Sequence, residues 1–188
     1  NSLQYPPHQG DATEIHTPHQ EEISMAKNLI LLPNPQKLTF NVGRVTLADQ
    51  QTIALDSADA RLQQAAVRLQ QAFVRYASVN WQVVSGDTAT DEGLTILINN
   101  KVDKPQGYRL TVAPGGITLQ GHDEAGAFYG IMTLIQVLQQ YGADVPVLVI
   151  EDWPDFPNRG VMLDISRDKV PTMDTLYDLV DRLAGWKV

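Results

Sequence analysis

At 188 residues, 43% of them hydrophobic, the chain can hold one ordinary domain with a real core and part of a second. Its formal net charge of -8, interrupted by no basic stripe, argues against a nucleic-acid partner. The absence of cysteine excludes disulfides, thiolate metal sites and a cysteine nucleophile.

No stretch reaches the roughly 18 apolar residues that a spanning helix needs, so no membrane partner is expected. The start lacks the basic-then-apolar profile of a signal peptide, which leans towards the cytoplasm without fixing a compartment. Residues 1–27 are polar and read as a flexible leader or a vector-derived remnant, with Met25-Ala26-Lys27 resembling a natural translation start. His8, His16 and His19 sit among Pro, Gln, Glu and Gly without the helical i, i+4 spacing of a metal site, and no metal or other cofactor is expected.

A folded α/β domain is expected over 28–150. Leu29 to Leu32, Leu38 to Val42 and Val45 to Leu47 read as three short strands, the last two parted at Gly43. From Ala58 to Tyr76, the residues Leu62, Ala66, Leu69, Phe73 and Tyr76 recur at helical spacing, with Arg and Gln on the other face, so one side of this helix lies on a sheet. Trp81 to Val84 and Leu94 to Ile98 read as strands around an acidic loop from Asp87 to Glu92. Tyr108 to Val112 and Ile117 to Gln120 flank Ala113-Pro-Gly-Gly116 as a hairpin.

Asp123 then caps a helix running to about Gln140. Phe128, Ile131, Met132, Leu134, Ile135, Val137 and Leu138 leave it little polar face, which predicts burial between its own sheet and a neighbouring domain reached through Tyr141 to Glu151.

Residues 151–188 read as a junction and the truncated start of a second domain. Asp152-Trp-Pro-Asp-Phe-Pro157 is stiffened by two prolines. Gly160 to Ile165 is apolar except for Asp164, as in a parallel strand covered on both faces, with Arg159 and Arg167 on one side and Asp164 on the other. Thr172 caps a helix whose buried stripe is Leu176, Leu179, Val180 and Leu183. A strand followed by a helix is the repeating unit of a (β/α) barrel. The expected fold class is therefore α+β: a small, mostly antiparallel sheet with two helices on one face, then the first strand and helix of a truncated (β/α)8 barrel.

Several of these segments together resemble family 20 glycoside hydrolases, the β-N-acetylhexosaminidases. They are Tyr108-Arg-Leu-Thr-Val112 with Ile117-Thr-Leu, Gly126-Ala-Phe-Tyr-Gly130 with Thr133-Leu134 and Gln136, and Asp155-Phe-Pro-Asn-Arg-Gly-Val-Met-Leu-Asp-Ile-Ser-Arg167. The resemblance spans about Leu29 to Val188 and implies an α/β domain ahead of a TIM barrel, the last segment being the first barrel strand. It further implies that Arg167 binds the C3 and C4 hydroxyls of a terminal N-acetylhexosamine. That role agrees with the barrel rule that sites lie at the C-terminal ends of strands, and with the rigid donor fork of a guanidinium. The competing reading of Arg167 is a salt bridge at the barrel mouth.

Arg159, at the bottom of that strand, is expected to serve stability. Asp164 is expected to anchor a backbone amide or pair with a basic group. Asp168 stands where the family commonly has His, which leaves the accepted sugar open. The family's reaction is substrate-assisted and retaining, using an Asp-Glu pair that follows later in the barrel. Asp91-Glu92 and Asp123-Glu124 do not match that motif and read as solvated charge, so this stretch by itself is expected to be inactive and to hold no catalytic residue.

The implied partners are amino-sugar glycans, through the full-length barrel, and the remaining catalytic domain as an intramolecular partner. Other readings are the leading domain of another carbohydrate-active enzyme, of α-glucuronidase or O-GlcNAc hydrolase type, and a non-catalytic carbohydrate-binding or docking module. An exposed aromatic platform would favour the last, and Trp81, Trp153 and Trp186 fall in a strand, a junction and a helix end.

Overall fold

The computed structural model describes residues 29–86, 92–99, 101–166 and 170–188. The leader histidines, the pair Arg167 and Asp168, and most of the Asp87 to Glu92 loop lie outside these residues. The strands are β1 (Lys37–Thr46), β2 (Thr52–Asp56), β3 (Gln82–Ser85), β4 (Leu94–Ile98), β5 (Tyr108–Ala113), β6 (Gly116–Gly121) and β7 (Asp144–Asp152), joined in one sheet of order β1-β7-β5-β6-β4-β2-β3. The helices are α1 (Ala60–Ala72), continued by a π-helical segment Phe73–Ala77, then α2 (Glu124–Tyr141) and α3 (Met173–Gly185).

Helices α1 and α2 touch each other and cover one face of the sheet, as the sequence implies. Pairing register explains the core. Leu38, Ile150, Leu110, Leu119, Ile96 and Leu55 are successive cross-strand partners, so one apolar rung crosses six strands. Phe40, Leu148, Val112, Ile117, Leu94 and Ile53 form the next rung. Trp81 closes the α1 end: it is 1% exposed, stacks on Phe73 at 4.2 Å between ring centroids, and its indole N–H donates to the Ala48 carbonyl at 2.8 Å.

The sheet is mixed rather than mostly antiparallel. β1, β7, β5 and β6 pair antiparallel, whereas β6, β4, β2 and β3 pair parallel. The parallel half follows from β2, a five-residue strand between Gln51 and Ser57 that alternation alone does not reveal. It accepts β3 on one side and β4 on the other, with α1 as the crossover from β2 to β3.

The Tyr141 to Glu151 stretch is no linker. It supplies β7, an interior strand between β1 and β5. Pro146 argues against a central strand on sequence grounds. The structure accommodates it because the β5 ladder starts at Leu148, while Pro146 faces only Arg44 of β1 next to an irregularity in register between Phe40 and Arg44. Gly43, at φ +106, lies in that irregularity, so the two expected strands are one bulged strand.

Residues 29–32 form no strand. Gln140 and Gln136, one turn apart on α2, hold them instead: Gln140 accepts from Ile30 N at 3.0 Å and donates to Ile30 O at 2.7 Å, and Gln136 makes the same two bonds to Leu32 at 2.8 Å each. Each side-chain amide thus replaces the backbone partner a sheet would supply.

The apolar face of α2 is met by β4 to β7 on one side and by α1 and the π segment on another, so burial within the domain accounts for most of its hydrophobicity. Its glycines set how close it lies. A Cβ at Gly126 would fall on the carbonyl oxygen of Gly107, and one at Gly130 on Leu119 Cδ1. The Gly-Ala-Phe-Tyr-Gly motif is therefore a close-approach surface against the β5–β6 hairpin.

Gly160 to Ile165 does not form the expected strand. Among the described residues it has no ladder partner, and Met162 is 94% exposed. A lone strand leaves every backbone group unpaired, so nothing holds the segment extended. Helix α3 forms as expected, capped by the Thr172 hydroxyl, which accepts from Thr175 N at 3.3 Å, but none of its residues is buried.

Asp59 caps α1, accepting from Arg61 N and Leu62 N at 2.8 and 3.2 Å. Its hydrogen bond from the Arg61 side chain, helped by those amides, lowers its carboxyl pKa from 3.8 to about 2. A depressed folded-state pKa adds stability above the unfolded value that is lost as pH falls through the folded one. Between about pH 4 and 2, the parent is therefore expected to lose unfolding free energy more steeply than Asp59→Asn. Parallel acid limbs in urea titrations would contradict this.

Candidate functional site

The polar centre of the molecule lies where the sheet meets the junction. Tyr108 opens β5 and Asp152 closes β7, and the antiparallel register sets them opposite one another at the same end of the sheet. Both follow the inward parity of Leu110 and Ile150, so both project towards the helices. Thr133 of α2 completes the floor, its hydroxyl 2.6 Å from the Tyr108 hydroxyl.

Into this floor comes Lys187, which follows α3. Its ammonium donates to Asp152 Oδ2 at 2.7 Å and to the Tyr108 hydroxyl at 3.0 Å, and Tyr108 lies 3.3 Å from Asp152 Oδ2. The two charged side chains are 6% and 10% exposed. Burial pushes the Lys187 ammonium down from its ordinary pKa, and the Asp152 charge opposes that shift. Burial, then the Asp152 charge, pushes the Tyr108 phenol well above its usual value. Tyr108 therefore stays protonated, and the cluster is one satisfied network of neutral hydroxyls around an ion pair.

Arg159 extends the network. Its guanidinium donates to the carbonyls of Lys187 and Phe156 at 2.8 and 2.6 Å and to Gln106 Oε1 at 3.1 Å, and lies 5.1 Å from the Tyr129 ring centroid. Asp164 accepts from Ser166 N at 2.8 Å, and hydrogen bonds from the Ser166 side chain and then its backbone lower the Asp164 pKa. Asp123 accepts from Gly126 N and Gln106 N at 2.8 and 2.9 Å, and Glu92 is exposed. Among the described residues, no group of His, Cys, Asp and Glu is placed to hold a metal ion, and no helix is long and apolar enough to cross a membrane. A cleft of about 340 Å³ runs beside the cluster, walled by Gln36, Tyr129, Trp153, Phe156, Arg159 and Trp186.

Sequence reasoning missed Asp152, Lys187, Tyr108 and Thr133 as one unit. The available signal was parity. Once Val145 to Asp152 is read as a strand, Leu148 and Ile150 point inward, and Asp152 becomes a carboxylate at a core position that requires a cation.

A mixed sheet with two helices on one face thus ends in a buried polar cluster shared with the segment that follows β7. The sequence model described as glycosyl hydrolase family 20, domain 2, matches residues 28–153. The chain belongs to glycosyl hydrolase family 20.

It is 29% identical over 166 residues to N,N'-diacetylchitobiase of Vibrio harveyi, covering 84% of this chain and 17% of that protein. It is 40% identical over 83 residues to a beta-hexosaminidase of Akkermansia muciniphila, covering 43% of this chain and 17% of the relative. Among solved structures, the chitobiase of Flavobacterium johnsoniae superposes with a TM-score of 0.67 at 27% identity, over 84% of this chain and 26% of that one. The chain thus spans about a fifth of the length of its curated relatives.

Proposed function

We propose that this chain is the leading portion of a β-N-acetylhexosaminidase, which as a full-length protein removes terminal GlcNAc or GalNAc by retaining, substrate-assisted hydrolysis. The observation that carries this reading is the family match over residues 28–153, flanked by a similarity to a chitobiase that covers 84% of the chain and so continues past the matched domain. In this reading the α/β domain runs from residue 28 to the end of β7 at Asp152, two residues past the boundary at 150 expected from sequence, the rest to 188 opens the catalytic barrel, and residues 1–27 precede the fold. Arg167 reaches the C3 and C4 hydroxyls of the sugar once the barrel surrounds it.

The exposed side chains of Val161, Met162, Leu163 and Ile165 support the assignment. An apolar run of this kind is what a strand awaiting two neighbours presents. The network at Asp152 and Lys187 has its donors and acceptors turned on one another, which suits a joint between domains and not a reaction centre.

The full-length protein is expected to hydrolyse p-nitrophenyl N-acetyl-β-glucosaminide or its galactosaminide with initial release of the β-anomer, whereas residues 1–188 alone release no nitrophenol. A full-length protein inert towards both substrates, or one releasing the α-anomer first, overturns the proposal.

A further inference from the structure

The geometry points to Lys187 as the anchor of an internal docking contact: its ammonium plugs the pocket of Asp152, Tyr108 and Thr133, and this plug couples the α/β domain and the barrel into one cooperative unfolding unit. The inference rests on the reading of 151–188 as the start of the barrel.

The first support is what does not hold the segment down. No residue of α3 is buried, and the run from Val161 to Ile165 is exposed, so apolar burial contributes little to its attachment. The contacts that remain are polar pins. Gln136 donates to the Gly185 carbonyl at 3.1 Å, Gln106 donates to the Pro157 carbonyl at 2.9 Å and accepts from Arg159 at 3.1 Å, and Arg68 pairs with Asp181 at 3.0 Å. The Arg68 pair is exposed at both ends and contributes little in water. The pair of Lys187 and Asp152 differs in kind, since both of its side chains are buried.

The second support is conformational. Lys187 adopts φ +63, a region that residues with a Cβ avoid. The strain is held by the anchored side chain on one side and the Arg159 bond to its carbonyl on the other.

The third is chemical. An aliphatic plug would tolerate sliding, whereas an ammonium surrounded by a carboxylate and a phenol is satisfied in one position only. Burial lowers the Lys187 pKa while Asp152 raises it, so the cation depends on its partner. Leaving either charge without the other is costly, and removing both is not. That asymmetry is what a docking contact needs in order to be all-or-none.

Calorimetry of the full-length protein tests the coupling. The parent is expected to melt in one transition. Asp152→Leu and Lys187→Met are each expected to lower the first melting temperature by roughly 10 °C and to split the melt in two. The double variant, with no charge stranded, is expected to regain at least half of that loss, a non-additivity that a merely bulky or misfolding substitution would not produce. A parent that already melts in two steps, single variants that melt as the parent does, or strictly additive losses each overturn the inference. Hexosaminidase activity measured in parallel separates the two claims, because an inactive parent counts against the proposed function and leaves the melting result readable.

Discussion

Arg167→Ala in the full-length protein is expected to lower kcat/KM for p-nitrophenyl N-acetyl-β-glucosaminide by about 100-fold. In the proposed site the guanidinium donates to two vicinal hydroxyls, and hydrogen bonds to a charged group contribute about 1.5–3 kcal/mol each. Losing the pair, with water able to enter the vacated space, costs about 3 kcal/mol, and each 1.36 kcal/mol corresponds to a factor of ten. Because the hydroxyls are bound before as well as during bond cleavage, much of the loss is expected in KM. Arg167→Lys keeps the charge without the fork and is expected to recover only part of the loss. A kcat/KM unchanged by the alanine variant removes Arg167 from the sugar pocket and leaves it the mouth salt bridge.

The largest expected effect on the fold is at Gly126. An added methyl would meet the Gly107 carbonyl, a backbone atom that cannot rotate away, so α2 must lift from the hairpin or β5 must shift. Overpacking of this sort costs about 1–3 kcal/mol and more where the neighbour is rigid, against about 1 kcal/mol gained from alanine's helix propensity. With the rigid carbonyl placing the cost at the upper end of that range, a net loss of about 2 kcal/mol is expected for Gly126→Ala in denaturant unfolding. Gly185→Ala is the control. Among the described residues, nothing beyond its chain neighbours and its own helix backbone lies within 4 Å of the added Cβ, so it is expected to be neutral or slightly stabilising. Equal stability of the two variants would refute the close-approach role of the motif.

Tyr108 shows how far a motif can be read. Its place in Tyr108-Arg-Leu-Thr-Val112 marked a strand and a resemblance, and the structure makes it the hinge between core and network, with its ring against the Gly130 gap and its hydroxyl on Thr133. The Gly-Ala-Phe-Tyr-Gly segment likewise announced a helix, but which backbone its glycines approach depended on strand order. Asp152 opens a segment that Pro154 and Pro157 mark as a junction, and only the pairing of β7 with β1 and β5 places it at the end of a strand. Arg167 remains an assignment from its motif.

Periodicity and capping are local properties. They suffice for α1 and α2, for the β5–β6 hairpin with its Pro114-Gly115 turn and for the Asp123 and Thr172 caps, since each depends on residues a few positions apart, while the family was legible from the resemblance of its motifs. The mixed sheet, the interior place of β7, the glutamine clamps on residues 29–32 and the burial of Lys187 against Asp152 were decided only by the tertiary structure. Each joins residues at least 35 positions apart or depends on which strands are neighbours, and no local preference carries that information.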